Sequence, residues 1–287
     1  MNTLIGVTLA LVSAFSWASA TILVRVGLRN LSPIGANIFR LYTAGAIFLL
    51  TFSLTGNLSA FKLPPMLLFL AFISGIFGFV IGDYFYFNAL KRMGVSRTVP
   101  ITSTYPLWTI LWAVLFLGKG VKPQVVIGAL LVVVAIIIVK RAEEKENADR
   151  KGFLFAFLAP ILWSVAIVIM QYLTAYIPNL QLAGLRMIFG AAGISVFLPR
   201  YGGEVAGMRP KEALSLAGAS LLGLVIGQYL FVYSVALVGA SIAAPVSAIN
   251  PIIASLLAVL FLKERPSRRI LEGLLLAVAG VILISTA

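Results

Sequence analysis

Ten apolar runs, each roughly long enough to cross a bilayer, leave this chain few ways to fold. They fall at about 3–24, 33–55, 65–90, 95–117, 122–140, 152–175, 179–199, 212–237, 240–262 and 268–286. About 20 apolar residues in helical form cover the ~30 Å hydrocarbon core of a membrane, with some tilt. Barrel strands would be about 10 residues long and would alternate apolar with polar, which these runs do not do. At 61% hydrophobic and 11% charged residues, the chain carries more apolar surface than a soluble core of 287 residues absorbs. The sequence therefore predicts an all-α integral membrane protein of ten transmembrane helices. Ala18-Ser19-Ala20 has the look of a leader cleavage site. The preceding Met1-Asn2-Thr3 carries no positive charge and the apolar run continues to about Val24, so the run reads as a retained first span.

The two halves repeat each other. A shift of 146 residues carries Gly6 onto Gly152, Trp17 onto Trp163 and Arg40 onto Arg186. A shift of 145 carries Gly78, Gly82, Tyr84, Gly94, Ser96, Pro100, Pro106, Phe116 and Gly128 onto Gly223, Gly227, Tyr229, Gly239, Ser241, Pro245, Pro251, Phe261 and Gly273. Five spans per copy is an odd number, so the second copy enters the membrane from the opposite side. The expected organisation is one five-helix repeat at 1–140, a charged linker at 141–151 and an inverted five-helix repeat at 152–287. Inverted repeats of this kind build secondary transporters, with the substrate site near mid-membrane between the copies.

Cysteine and histidine are both absent. That removes disulfides, thiol chemistry, histidine relays and most transition-metal sites, and no metal or other cofactor is expected. No GxxxxGK[ST] loop points to direct use of ATP. The net charge of +13 does not indicate nucleic acid, because the basic residues sit in short loops rather than on an extramembrane domain. On one side lie Arg25, Arg29, Lys91, Arg92, Arg97, Lys140, Arg141, Lys145, Arg150, Lys151, Arg200, Arg209, Lys211, Lys263, Arg265, Arg268 and Arg269. The other side, with both termini, has Lys62, Lys119 and Lys122. Positive charge favours the cytoplasm, which predicts termini outside in the cell membrane of a prokaryote.

Several short stretches resemble the drug/metabolite transporter superfamily, in particular its ten-span EamA-like members, over essentially the whole chain. They are Ser16-Trp17, Pro33 with Phe39-Arg40, the run from Gly82-Asp83-Tyr84 to Asn88-Ala89-Leu90, Tyr105-Pro106, and Leu262-Lys263-Glu264-Arg265. The resemblance implies export or exchange of small metabolites such as amino acids, related organic solutes and drugs. It also implies termini inside, against the charge pattern. The loop Gly118-Lys119-Gly120-Val121-Lys122 lacks a counterpart of Glu264.

Charges inside the spans are the candidates for mechanism. Asp83 is the only acid deep in an apolar run, and its repeat position holds Gln228. Arg40 and Asp83 each lie about eight residues from the same face, roughly 12 Å deep at 1.5 Å rise per residue. A lone charge at that depth costs about 2.5–3.5 kcal/mol, so the two are expected to pair and to form the ion-coupling site, with protons carried by Asp83. Gln228 accepts a hydrogen bond but cannot neutralise Arg186, which is therefore expected to recognise an anionic group of the substrate. Trp17 lies at the depth of Arg40 and Asp83, Trp163 lies with Arg186 and Gln228 at matching depth from the other face, and Tyr84, Tyr229, Tyr105 and Asn250 complete the expected binding surface. Pro100 and Pro106, repeated as Pro245 and Pro251, remove backbone donors from the fourth and ninth spans and are expected to serve gating.

The expected function is a secondary active transporter of small metabolites working by alternating access, functional as a monomer. A lipid translocase is the nearest alternative. An intramembrane aspartyl protease would need a second membrane acid, and a scaffold would not need buried charges.

Overall fold

A computed structural model describes residues 2–27, 31–140, 149–262 and 268–287, and every regular element among them is helical. Eight helices are long and apolar enough to cross a membrane, and Pro123–Ile138 and Leu271–Ser285 are shorter apolar helices at the fifth and tenth positions. We number the spans 1 to 10 in chain order. Their bounds lie within a few residues of the apolar runs: Pro33–Thr55, for example, forms span 2 as a single helix. Leu4, Leu50, Leu54, Phe116 and Leu260 point outward from the bundle. Such exposure suits a surface solvated by lipid tails rather than water. Glu264 and residues 141–148 of the linker fall outside the described residues.

Packing runs mainly between the halves. Span 1 lies along span 8, span 2 along span 7, span 3 along span 6, span 5 along span 10, and span 4 touches spans 6 and 9. The main apolar core follows from this crossing. It gathers Ile38, Phe48 and Phe52 of span 2, Met170 and Leu173 of span 6, Leu182 and Met187 of span 7, and Phe231 of span 8.

Spans 3 and 8 each contain a stretch of π-helix, Ile76–Ile81 and Ser220–Gly227, at matching places in the repeat. A π-turn bonds i to i+5 and offsets carbonyls from the α-helical ladder, a geometry that recurs at functional sites. Side chains from other spans take up these carbonyls. Ser16 Oγ donates to Leu222 O at 2.7 Å, Trp17 Nε1 to Gly223 O at 3.0 Å, and Asn37 Nδ2 to Phe79 O at 3.0 Å. Without water in the hydrocarbon, such partners are what make irregular backbone tolerable there.

Spans 4 and 9 are both interrupted. Turns at Ser103–Thr104 and at Ala248–Ile249 separate two half-helices in each, with Pro106 and Pro251 in the first turn of the second half-helix. Pro100 and Pro245 lie inside the first half-helices. The hydroxyl of Thr104 bonds Ile101 O at 2.7 Å, and Ser247 bonds Ala244 O at 3.1 Å, covering carbonyls next to the breaks. The expected loop between spans 3 and 4 does not open: the backbone stays helical from Gly82 to Thr102. Its counterpart between spans 8 and 9 does break, at Gly239 with φ 78°, which only glycine adopts cheaply.

The tryptophans demand glycine where the halves cross. A β-carbon on Gly82 would lie 2.6 Å from Trp163 Cδ1, and one on Gly227 would lie 2.7 Å from Trp17 Cδ1. Gly82→Val and Gly227→Val should each cost about 1–3 kcal/mol through overpacking. Gly120→Val, with nothing within 4 Å, should leave the melting temperature in detergent unchanged. Equal melting of all three variants would contradict this packing.

Candidate functional site

The polar layer is built where the two tryptophans cross into the opposite half. Trp17 and Trp163 lie on equivalent glycines, but their indole N–H groups part company. Trp17 donates to a backbone carbonyl, whereas Trp163 Nε1 donates to Asp83 Oδ1 at 3.1 Å. One acid in span 3 thus redirects a tryptophan of span 6. Around it stand Tyr86, whose ring centre is 5.2 Å from that of Trp163, and Tyr105, edge-on to the same ring at 6.4 Å. Tyr105 also bonds Ala244 O at 3.2 Å, which ties the break in span 4 to the first half-helix of span 9.

The two repeated arginines have opposite fates. Arg186 is 2% exposed. Its Nε donates to Ser74 Oγ at 2.9 Å, its Nη1 faces Met170 Sδ at 2.9 Å and Gln228 Oε1 at 3.4 Å, and its guanidinium sits 5.0 Å from the centre of the Phe79 ring. Oxygen acceptors and the negative face of an aromatic ring solvate this cation without an acid. Arg186 was expected to recognise an anionic group of the substrate; here it has these internal partners, and the expected contact with Gln228 is among them.

Arg40 is the less satisfied of the pair. Its buried Nε has no hydrogen-bond partner. At the repeat position of Ser74 stands Ala219, which has no hydroxyl, and the neighbouring Ser220 donates to the backbone carbonyl of Arg40 at 2.6 Å. The expected ion pair with Asp83 does not form either. Among the described residues no carboxylate comes within 4 Å of the Arg40 guanidinium, and the two charges interact only through space. The carboxylate is drawn to Trp163 on span 6, while the tip of Arg40 lies towards Gly223 on span 8. Matching depth placed the two in one layer but said nothing about their directions.

Asn37, one turn before Arg40, was missed by sequence reasoning. It is 2% exposed and its Nδ2 is held by Phe79 O, which leaves Oδ1 buried and unpartnered. Thr98 Oγ1 in span 4 is likewise buried without a partner. An orphaned polar atom costs about 1–3 kcal/mol, so this arrangement of spans 2 and 4 is polar and incompletely satisfied. The signal for Asn37 was available as an amide three residues before an intramembrane arginine.

Other candidates disperse. Tyr84 stacks on Phe197 at 5.3 Å and 11°, away from the Asp83–Trp163 contact. Tyr229 pairs with Tyr233 at 6.3 Å and packs against the main core. Asn250 opens the second half-helix of span 9. A vestibule of about 710 Å³ opens on the side of Lys119 and Lys122, between Gln171, Tyr172, Tyr176 and Leu237. It is separate from the charged layer: Arg40, Asp83 and the two tryptophans are not among its walls.

Comparison with known proteins agrees with this architecture. The profile of the EamA-like transporter family matches twice, at residues 4–141 and 150–286. An uncharacterized transporter of Archaeoglobus fulgidus is 27% identical over 286 residues, covering 98% of each chain. A probable glucose uptake protein, GlcU, of Bacillus cereus is 25% identical over 240 residues, covering 77% of this chain and 78% of its own. A protein of known crystal structure superposes with a TM-score of 0.82 at 21% identity, covering 96% of this chain and 95% of that one, and so shares the fold. With both halves matched by one family and ten apolar helices arranged in two repeats, the chain belongs to the EamA-like transporter family.

Proposed function

We propose that this chain is a secondary active transporter in which the repeats 1–140 and 152–287 move about a central site, exposing it alternately to the two sides of the membrane. The cargo is a small polar metabolite, with amino acids and related organic solutes the leading class. The observation that carries this reading is the unsettled charge pair: Arg40 and Asp83 share a layer yet do not satisfy one another. A solute with an anionic group for Arg40 and a cationic or hydrogen-bond-donating group for Asp83 would complete both. Trp17 and Trp163 would form the walls, and Tyr86, Tyr105 and Asn37 would supply further polar contacts. Arg186 and Gln228 would serve as a buried strut rather than a contact to cargo. The interrupted spans 4 and 9, with their repeated prolines, would supply the moving parts.

A second reading is favoured by the names of relatives. Several are described as putative sugar or glucose uptake proteins. Sugar hydroxyls both donate and accept, and would bridge Arg40 and Asp83 without formal charge. We infer the orientation from loop charge: the basic face is cytoplasmic and both termini lie outside, so the vestibule opens outwards.

Counterflow into liposomes carrying the purified protein, with amino acids, organic anions and sugars as alternative loads, tests the proposal. One class should exchange; transport of none would overturn it. Arg40→Gln should lower the affinity for an anionic load by about ten- to a hundredfold, the worth of a charge-assisted hydrogen bond at about 1.5–3 kcal/mol. Arg186→Gln should instead lower the melting temperature, because truncation leaves Ser74 and Gln228 without a donor. The opposite assignment of the two effects would exchange the roles of the arginines. Asp83→Asn should abolish uphill uptake driven by a proton gradient while sparing exchange; full uphill uptake would remove Asp83 from coupling.

A further inference from the structure

The two ends of the bundle are closed by different chemistry. On the basic face the halves are joined by acids. Asp149, the N-cap of span 6, accepts a hydrogen bond from Arg92 at the end of span 3 at 2.8 Å. Arg92 holds the Asp149 carboxyl below its ordinary pKa. Glu204, after span 7, accepts from the backbone N–H of Ser32 at 3.0 Å, at the N-terminus of span 2. A carboxylate there meets unpaired amides and the positive end of the helix. Beneath these acids two aromatic stacks also cross between the halves, Phe85 on Phe155 at 5.5 Å and Tyr84 on Phe197 at 5.3 Å. Ala89, 0% exposed, packs with Met93 and Ala156 in the same seam.

The repeat lets the opposite face be compared position by position. Shifted by 146, Asp149 falls on Thr3, Glu204 on Leu58 and Ser32 on Pro178; shifted by 145, Arg92 falls on Leu237. No acid and no arginine stands at these places, and Pro178 has no backbone N–H to donate. Leu237 instead lines the vestibule, which is open on that side.

We propose that Asp149 and Glu204 are the latches of a gate on the basic face, and that this face opens when both let go. The opposite end has no acid at the matching places and closes without such latches. The proposal rests on the alternating-access reading and adds to it an ionic closure at one end only. It also assigns the structure to the state closed on the basic face and open at the vestibule.

The native chain has no cysteine, so a single introduced thiol reports without background. Ala89→Cys places it in the seam, and a membrane-impermeant maleimide is applied from the basic face. Labelling should be slow in that variant and rise at least severalfold when Asp149→Asn and Glu204→Gln are added together. Unchanged labelling would overturn the gate, whatever the cargo. In a second arm, Ala89→Cys with Ala156→Cys is oxidised to a disulfide across the seam. Counterflow should stop and return on reduction; undiminished flux through the fully bridged protein would overturn the gate. If the reduced protein moves no solute while labelling still responds to the two acids, the gate stands and the transport reading falls.

Discussion

Satisfying polar groups where there is no water to help is the constraint from which this structure follows. Each π-helical turn offsets carbonyls from their own helix, and the fold answers by sending Trp17, Ser16 and Asn37 across from other spans. Those crossings hold spans 1 and 8 and spans 2 and 3 in register. Spans 3 and 6 are held by the matching contact of Trp163 with Gly82, where the indole meets a carboxylate instead of a carbonyl. The repeat halves are therefore interlocked rather than laid side by side, and most of the core is made between them.

Small differences between the copies separate structure from chemistry. Ser74 accepts a hydrogen bond from Arg186, while Ala219 at the matching position offers Arg40 no hydroxyl. Gln228 stands where the first copy has Asp83. One half thereby buries its arginine among internal partners, and the other keeps a cation and an acid that do not meet. An asymmetric pair leaves polar atoms in the membrane that a solute or a rearrangement of the spans would satisfy. The same breaking of symmetry appears at the two ends, where acids join the halves on one face and uncharged residues stand at the matching places.

Much of the fold was legible in the chain. Span lengths follow from bilayer thickness, and repeated glycines, tryptophans and prolines carry the duplication without any contact being known. The interruptions of spans 4 and 9 were foreshadowed by paired prolines. The π-turns were not, because the hydrogen-bond register of a helix leaves no mark in apolar residues such as Ile76 or Leu221. Depth along a span was legible too, with Arg40, Asp83 and Trp17 each about eight residues from the same face. Direction was not, because a one-residue rotation of a helix turns a side chain by 100° and leaves its depth almost unchanged.

The sequence by itself determined the ten spans, their duplication and the family, since these depend on hydrophobic length and on residues compared along the chain. Tertiary structure alone decided which arginine is satisfied and where Asp83 points. The partners of Arg186 and Asp83 lie far away in the chain, 112 residues for Ser74 and 80 for Trp163. No local rule selects them. They meet because spans from opposite halves cross at glycines, and the energy of an intramembrane charge depends on which donors and acceptors that crossing brings within about 3 Å.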